Sequence, residues 1–215
     1  MKELFVVIGL GRFGRSVAER LTELGRDVIG IDSDEEVVKE LADILPSVVL
    51  ADCTDEKALK EIGVQDANTV VVSVGSNIET SVLSVAILHG FGIKEIYAKA
   101  INPLHGRVLA KVGATRVIFP EKEKGRDLAN HLAGLDIIEA LDSTGSYVIA
   151  KIKAPHKFSG KSIVQLDIRK SFGLTVIGIE RDGKMDINPS PNEIIQDGDY
   201  LLAVGRKDDI EKLRK

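Results

Sequence analysis

The sequence predicts an α/β fold, in which a doubly wound parallel sheet spans residues 1–134 and a small α+β domain spans residues 135–215. Three observations predict it. Short runs of Val, Ile and Leu alternate with segments of helical periodicity, a glycine-rich turn follows the first run, and the pattern changes to hairpins after Pro120. Runs that are almost continuously apolar are typical of strands buried on both faces of a parallel sheet.

Six apolar runs predict the strands of the parallel sheet. They are Leu4–Ile8, Asp27–Asp32, Ser47–Asp52, Thr69–Val74, Glu95–Ala100 and Thr115–Phe119. The segments between them carry apolar residues three and four positions apart, which predicts helices; an example is the set Val17, Leu21 and Leu24. Because crossovers between parallel strands are right-handed, these helices are expected to cover both faces of the sheet.

A crossover helix is predicted to leave the sheet at Pro120. Proline in the first turn with acidic residues behind it is a normal helix start, and one helix face would carry Leu128, Leu132 and Leu135. The α+β domain that follows is read as strands Ile137–Leu141 and Tyr147–Lys153 around a Ser143–Ser146 turn, a helix over Ser162–Ile168, a strand Leu174–Arg181, an Asp182–Gly183 turn, a strand Tyr200–Val204 and a helix Lys207–Arg214.

Composition narrows the classes of function. No apolar run approaches the ~20 residues of a membrane-spanning helix, and the short run Leu4–Leu10 reads as a strand rather than a signal peptide. The single cysteine, Cys53, excludes an internal disulfide and fits a reducing compartment. A net charge of -4 with both signs interspersed gives no footprint for nucleic acid. We therefore expect a cytoplasmic protein with no nucleic-acid partner.

A glycine loop predicts a nucleotide site of the Rossmann type. Gly9, Gly11 and Gly14 follow an apolar run and open a helical segment. Gly9 allows the tight turn, Gly11 allows a diphosphate to approach the backbone, and Gly14 allows close packing of helix on strand. Asp32 ends the second run 18 residues after Gly14, where a carboxylate accepts hydrogen bonds from ribose hydroxyls. The alternative is a tight turn with a structural aspartate.

The flanking charges bear on which nucleotide binds. Ser33 and three acidic residues follow Asp32, with no Arg or Lys for a 2′-phosphate, so NADP is disfavoured. Arg12 and Arg15 lie at the start of the first helix, where cations oppose the helix dipole unless an anion is near. Two such cations suggest ATP or ADP, with Arg12 meeting the terminal phosphates. The alternative for Arg15 is a solvated surface residue.

Further cofactor contacts are expected at the carboxyl edge of the sheet. Asp52 is a candidate for the adenine, or else a helix N-cap. Lys99 is a candidate to neutralise phosphate, or else an exposed structural lysine. The remaining candidates are Phe13, Ser33, Cys53 and Ser73.

No catalytic constellation is visible in the sequence. The four histidines, His89, His105, His131 and His156, share no metal-ligand spacing and read as surface or capping residues. A nucleotide site without acid–base chemistry indicates sensing. The alternatives are a small NAD-dependent oxidoreductase and a stand-alone nucleotide or redox sensor.

The chain resembles the RCK (KTN) regulatory subunits of Trk/Ktr-type potassium uptake systems. The resemblance is carried by Gly9-Leu-Gly-Arg-Phe-Gly14, Ile31-Asp32, Ala51-Asp-Cys-Thr54, Phe119-Pro-Glu121 and the β-rich module behind them. It covers essentially the whole chain. It implies an RCK N-terminal domain, an RCK C-terminal domain and a regulatory function without enzyme activity.

The resemblance also implies ligands and partners. ATP, ADP or NAD(H) would contact Gly9, Gly11, Arg12, Gly14 and Asp32. Glu121 would approach the nucleotide, or a divalent cation at a dimer seam. Homodimers would assemble into an octameric ring beneath a membrane-embedded potassium channel or transporter, peripheral to the inner membrane. A cyclic dinucleotide in the C-terminal domain would lie near Ile168-Arg169 and Thr175-Val176-Ile177, although Thr175 replaces an expected asparagine.

Overall fold

The computed structural model describes residues 3–75, 77–133, 135–141 and 146–213. It divides into two compact units, Met1–Glu121 and Lys122–Lys215. No helix in these described ranges has the length and apolar character needed to cross a bilayer.

The first unit is built on a parallel sheet of six strands, which confirms the α/β fold. The strands are β1 (Leu4–Ile8), β2 (Asp27–Asp32), β3 (Ser47–Leu50), β4 (Thr69–Val72), β5 (Glu95–Lys99) and β6 (Arg116–Ile118). Their order across the sheet is β3-β2-β1-β4-β5-β6. This is the doubly wound order in which the chain reverses direction between β1 and β4, and ligands bind at the carboxyl ends of the strands beside that point.

Five helices connect these strands: α1 (Arg12–Glu23), α2 (Glu35–Leu41), α3 (Glu56–Ile62), α4 (Ile78–Gly90) and α5 (Pro103–Val112). Successive β1 residues serve opposite faces of the sheet, so Val6 and Ile8 pack in one apolar core and Val7 in another. Apolar cores therefore cover both faces of the sheet, which explains why the strands read as unbroken apolar runs.

The second unit begins with most of α6 (Pro120–Leu132). The helix starts where the proline predicts, but the chain is already extended at Leu135, so the prediction that Leu135 shares a helix face with Leu128 and Leu132 is wrong. Leu128 and Leu132 are 58% and 77% exposed. Of the three leucines predicted to share a face of α6, only Leu128 and Leu132 lie on the helix.

An antiparallel sheet of five strands follows. The strands are β7 (Leu135–Ala140), β8 (Tyr147–Lys153), β9 (Thr175–Arg181), β10 (Lys184–Ile187) and β11 (Tyr200–Arg206), in the order β10-β9-β11-β8-β7. Strand β10 was not predicted, because its four residues include only Met185 and Ile187 as apolar positions, and so short an alternation does not distinguish a strand from a loop. Residues 143–145 of the predicted β7–β8 turn lie outside the described residues.

Three helices pack on this sheet: α7 (Ile163–Leu166), α8 (Ile168–Phe172) and α9 (Lys207–Leu213). The short helix predicted around Ser162–Ile168 is present as α7, but it ends at Leu166, because Asp167 takes a left-handed φ of 42° and separates it from α8. Buried side chains including Ile152, Leu174 and Leu201 form one core beneath the sheet.

Candidate nucleotide-binding site

The glycine loop between β1 and α1 is shaped by contacts within the first unit. Gly9 has a φ of 84°, a conformation that L side chains rarely adopt, and its N–H donates to Ile31 O at 2.8 Å. A Cβ on Gly14 would overlap the carbonyl oxygen of Gly9. The first and third glycines of the motif are therefore required by the fold itself.

Gly11 differs from its two neighbours. Its φ of −63° and ψ of −175° suit any residue, and a Cβ there would meet nothing within 4 Å. Gly11 is also the N-cap residue of α1, which has no side-chain cap and no acidic residue in its first turn. Nothing inside the described chain requires glycine here. The open approach to the backbone and the uncapped helix start are the features that a bound phosphate uses.

Asp32 joins the end of β2 to the glycine loop. One carboxylate oxygen accepts from Leu10 N at 2.6 Å and the other from Asp34 N at 3.0 Å. Asp32 therefore has the structural role given as the alternative, because its carboxylate holds the loop in place. An ionised carboxylate has about four acceptor positions, so about two remain for the hydroxyls of a ribose.

A charged cluster lies beside the loop. Lys99, at the end of β5, donates from Nζ to Glu121 Oε1 at 2.6 Å. The Lys99 side chain is only 15% exposed, with Nζ 5.8 Å from the centre of the Phe13 ring, so the alternative of an exposed lysine is wrong. The hydrogen bond from Lys99 and, more weakly, the charge of Arg12 hold the pKa of the Glu121 carboxyl below its usual value.

The two arginines at the start of α1 have different surroundings. Arg15 forms ion pairs with Glu19 at 2.9 Å and Glu40 at 3.2 Å. Its charge is therefore compensated within the chain, so Arg15 no longer supports the prediction of a phosphate-rich ligand. Arg12 is exposed and forms no ion pair within the described residues. Arg12 alone offers a free guanidinium at the loop.

The alternative prediction that Asp52 is a helix N-cap is wrong. Its Oδ1 accepts from both Thr54 N and Thr54 Oγ1, each at 2.8 Å, and these bonds lower the pKa of Asp52. The N-cap of α3 is instead Asp55, whose carboxylate accepts from the first turn. Asp52 itself is exposed at the carboxyl end of β3.

The remaining candidates differ in accessibility. Cys53 is buried, and burial raises the pKa of its thiol, which makes it unreactive. Ser73 is buried behind the loop and its N–H donates to Ile8 O at 2.7 Å. Ser33 is exposed beside Asp32. Of these three side chains, only Ser33 is open to contact from solvent.

The described residues of one chain bring together too few potential ligands for a metal site. Within the described residues there is no group of three or more potential His, Cys, Asp or Glu ligands. Glu121 is 71% exposed, but its partner is the ammonium of Lys99. Any cation at Glu121 would need further ligands.

His105, predicted to be a surface or capping residue, is buried in the structure. It is 2% exposed, between α4 and α5, rather than on the surface. Ser81 Oγ donates to Ile78 O, so the contact of 2.8 Å between His105 Nε2 and Ser81 Oγ makes the imidazole the donor there. Burial lowers the pKa of His105. Its neutral ring joins the two helices, and nothing in the local sequence indicates this.

In the C-terminal unit, the candidate cyclic-dinucleotide residues are not all accessible. Ile168 is 2% exposed within the core, whereas Arg169 and Thr175 are exposed. Val176 and Ile177 lie in β9 and are half-buried.

Two family models match, the TrkA-N domain over residues 5–120 and the TrkA-C domain over residues 147–215. The chain belongs to the TrkA-N/TrkA-C family. It is 34% identical over 215 residues to Ktr system potassium uptake protein C of Bacillus subtilis (strain 168), covering all of this chain and 97% of the relative. It is 36% identical over 208 residues to Ktr system potassium uptake protein A of the same organism, covering 97% and 94%.

Solved structures agree on the fold of this TrkA-family chain. The GsuK channel bound to NAD matches with a TM-score of 0.68 and 21% identity over 99% of this chain and 39% of that one. GsuK bound to ADP matches with a TM-score of 0.54 and 18% identity, over 60% of this chain and 34% of that one. The chain spans less than half of these channel chains. The resemblance to RCK-domain proteins is confirmed.

Proposed function

We propose that this TrkA-family chain is the regulatory subunit of a potassium uptake channel or transporter and responds to an adenine nucleotide, ATP/ADP or NAD(H). The observation that carries the proposal is the opening of α1. There no contact within the described chain requires Gly11 to be glycine, the helix has no side-chain cap, and Arg12 forms no ion pair among the described residues. Relatives named as potassium uptake proteins support the regulatory role.

The proposed contacts follow from these surroundings. The free N–H groups at the start of α1 would hold the phosphates, and Arg12 would meet the terminal one. The acceptor positions left on Asp32 would take the ribose hydroxyls, with exposed Ser33 beside them, and the end of β3 at Asp52 would approach the adenine. Phe13, Cys53 and Ser73 would support the pocket mainly through packing.

Regulation requires a ligand that binds two conformations unequally. We propose that the charged cluster supplies the difference, because Lys99 is bonded to Glu121 and Arg12 lies near the same carboxylate. A terminal phosphate would compete with Glu121 for both cations. Such coupling is typically ~1–3 kcal/mol per site, and linked sites in an oligomer would add their contributions.

Assembly into homodimers and an octameric ring is supported by exposed apolar side chains. These side chains lie on α4, on α5 and just before α5, and each is between 37% and 62% exposed: Ile78, Leu83, Ile101, Leu104 and Val108. Exposed apolar surface of this kind is typical of an interface with a partner. The crossover helix, placed with a nucleotide domain of residues 1–134, would add Leu128 and Leu132. The ring would lie in the cytoplasm at the inner membrane, held there by its partner.

Two further ligands are lesser parts of the proposal. A divalent cation at the dimer seam would need Glu121 from each of two copies and release of Lys99. A cyclic dinucleotide on the C-terminal domain would rely on exposed Arg169 and Thr175, since Ile168 is buried.

Nucleotide titration tests the proposed site. Arg12→Ala is expected to weaken ATP binding more than AMP binding, because only ATP brings a terminal phosphate to the guanidinium. Arg20→Ala is the matched control, since Arg20 is exposed on the same helix and pairs with Glu23. Equal losses of ATP and AMP affinity in the Arg12 variant would contradict the assigned role.

Transport measurements test the proposed function. The chain, reconstituted with its membrane subunit in vesicles, is expected to change potassium flux when ATP is exchanged for ADP, or NAD for NADH. If potassium flux did not change with any nucleotide while nucleotide binding was intact, the result would favour a stand-alone sensor. Hydride transfer to a substrate would favour the oxidoreductase.

A further inference from the structure

His105 is a buried titratable group whose two ring nitrogens are both hydrogen-bonded. Nδ1 accepts from Ile101 N at 3.4 Å. Nε2 donates to Ser81 Oγ at 2.8 Å, because that hydroxyl already donates to Ile78 O. Both contacts require the neutral ring with its proton on Nε2, since an imidazolium has two donors and no acceptor. The neutral ring therefore links the start of α5 to the first turns of α4.

The surroundings of this ring disfavour a positive charge. Both helices begin beside it: α4 starts at Ile78, whose carbonyl is bonded to Ser81, and α5 starts at Pro103. The N-terminal turn of a helix carries partial positive charge, so two helix dipoles oppose a cation between them. The first turn of α5 contains no acidic residue. Burial alone lowers the pKa of His105, with no carboxylate to offset it.

The titratable groups of the elements packed around the ring make no contact with it. Those of α4 and α5 are all exposed: Glu79, His89, Arg107 and Lys111. Those of the adjoining strands β5 and β6 are Glu95, Tyr97, Lys99 and Arg116. Lys99 is bonded to Glu121, and Arg116 lies over the Tyr97 ring. Within the described part of the chain, the hydrogen-bond partners of the ring are therefore uncharged.

Protonation of His105 would break one of its two contacts. An N–H on Nδ1 would face the N–H of Ile101, so a donor and an acceptor would become two donors. The charged ring would also remain buried without a counter-charge, and it is favoured only where it reaches water. His105 lies in the first turn of α5, where Asn102 Oδ1 accepts from His105 N at 2.9 Å. An outward movement of the ring must therefore displace the Ile101–Leu104 segment.

This segment carries part of the apolar surface proposed above for assembly, called here the α4–α5 face: Ile78, Leu83, Ile101, Leu104 and Val108. Ile101 and Leu104, on the α5 side, are 50% and 62% exposed. Ile78 lies on the α4 side, and its carbonyl ends the chain of hydrogen bonds that passes through Ser81 and the ring to Ile101 N. The neutral ring thus fixes the two sides of the face relative to each other.

We propose that His105 is a pH switch for the α4–α5 face: the neutral ring holds the face in shape, and acidification opens the start of α5 and dissociates the assembled copies. This inference rests on the assembly proposed above. The opened segment binds a proton at the ordinary histidine pKa of about 6.5, whereas burial keeps the closed ring neutral to lower pH. Opening is therefore favoured as the pH falls below that value, by at most about ten-fold per pH unit.

Hydrogen exchange of the full chain, followed by mass spectrometry, tests the switch without reference to assembly. The measured quantity is the exchange rate over residues 101–108 divided by the rate in α1, which cancels the direct effect of pH on exchange. In wild-type protein this ratio is expected to rise at least about five-fold from pH 7.5 to pH 5.5. His105→Gln should show no rise, because Gln stays neutral while its amide can still donate to Ser81.

A matched control replaces the other three histidines, His89, His131 and His156, with Gln. All three are exposed, and this variant should keep the wild-type rise. A flat ratio in wild-type protein would overturn the proposal whether or not His105→Gln folds. A rise that persists in His105→Gln, or that disappears in the control, would also overturn it.

Sedimentation velocity of the same proteins at one concentration tests the link to assembly. Wild-type protein and the control are expected to change from the assembled species at pH 7.5 to smaller species at pH 5.5, whereas His105→Gln stays assembled. Equal dissociation of wild type and His105→Gln at pH 5.5 would overturn the switch. A wild-type chain that never assembles, at either pH, would instead contradict the assembly in the proposed function.

Discussion

The difference between Gly11 and Gly14 gives a direct prediction about the glycine loop. Gly11→Ala places a methyl group where nothing lies within 4 Å, on a backbone that alanine accepts. Its free energy of unfolding should change by less than about 1 kcal/mol, because a poorer N-cap is offset by a less flexible unfolded chain. Gly14→Ala would overlap Gly9 O and should cost about 3 kcal/mol or more, at the upper end of overpacking.

Gly11→Ala, which should leave stability unchanged, is expected to weaken ligand binding. The methyl group of Gly11→Ala occupies the approach to the backbone that a diphosphate needs. Affinity for ADP, ATP and NAD should fall at least ten-fold, which corresponds to about 1.4 kcal/mol, in a protein as stable as wild type. Gly90→Ala is the matched control, since a Cβ there also meets nothing within 4 Å but the residue ends α4, outside the glycine loop.

Urea denaturation and isothermal titration calorimetry, carried out on the same preparations, measure both quantities. Wild-type affinity in Gly11→Ala would refute the reasoning that this residue is glycine for the sake of a ligand. Wild-type stability in Gly14→Ala would refute the structural account of the loop itself. Gly90→Ala should leave both measurements close to wild type.

Three further changes test other contacts. Asp32→Ala leaves Leu10 N without its acceptor and should cost about 1–3 kcal/mol in urea denaturation, while calorimetry shows loss of nucleotide affinity. Burial lowers the pKa of His105, so the unfolded chain binds the extra proton. Stability should therefore fall as the pH drops below about 6.5; His105→Gln should flatten that part of a urea-denaturation pH series, and an unchanged slope would contradict it. Asp199→Asn removes the buried partner of Arg181 and should cost about 2–4 kcal/mol, measured by urea denaturation at pH 7; a smaller loss than that of Asp197→Asn would argue against the pair.

The first unit could be predicted well from the sequence because its signals are local. Each buried strand is a continuous apolar run, and the glycine motif lies between the first run and a helix. The end of β2 likewise fixes where Asp32 lies. These features depend on a few consecutive residues, so strand positions and the loop were confirmed to within two residues at the strand ends.

Contacts between distant residues could not be predicted in the same way. Arg15 is neutralised by Glu40, and Lys99 is bonded to Glu121, through separations of 25 and 22 residues. The buried ring of His105 is hydrogen-bonded to Ser81, 24 residues away. Strand β10 was missed for a different reason, because the alternation of Met185 and Ile187 with two charged residues is too short to predict a strand.

Isothermal titration of the purified full chain with ATP, ADP, AMP, NAD and NADH tests the central claim most directly. We expect saturable heat for at least one of these nucleotides, with one site per chain, and an affinity at least about ten-fold lower in Gly11→Ala. If none of the five produced binding heat in a folded protein, the α1 opening would not be a nucleotide site, and the regulatory account built on it would fail.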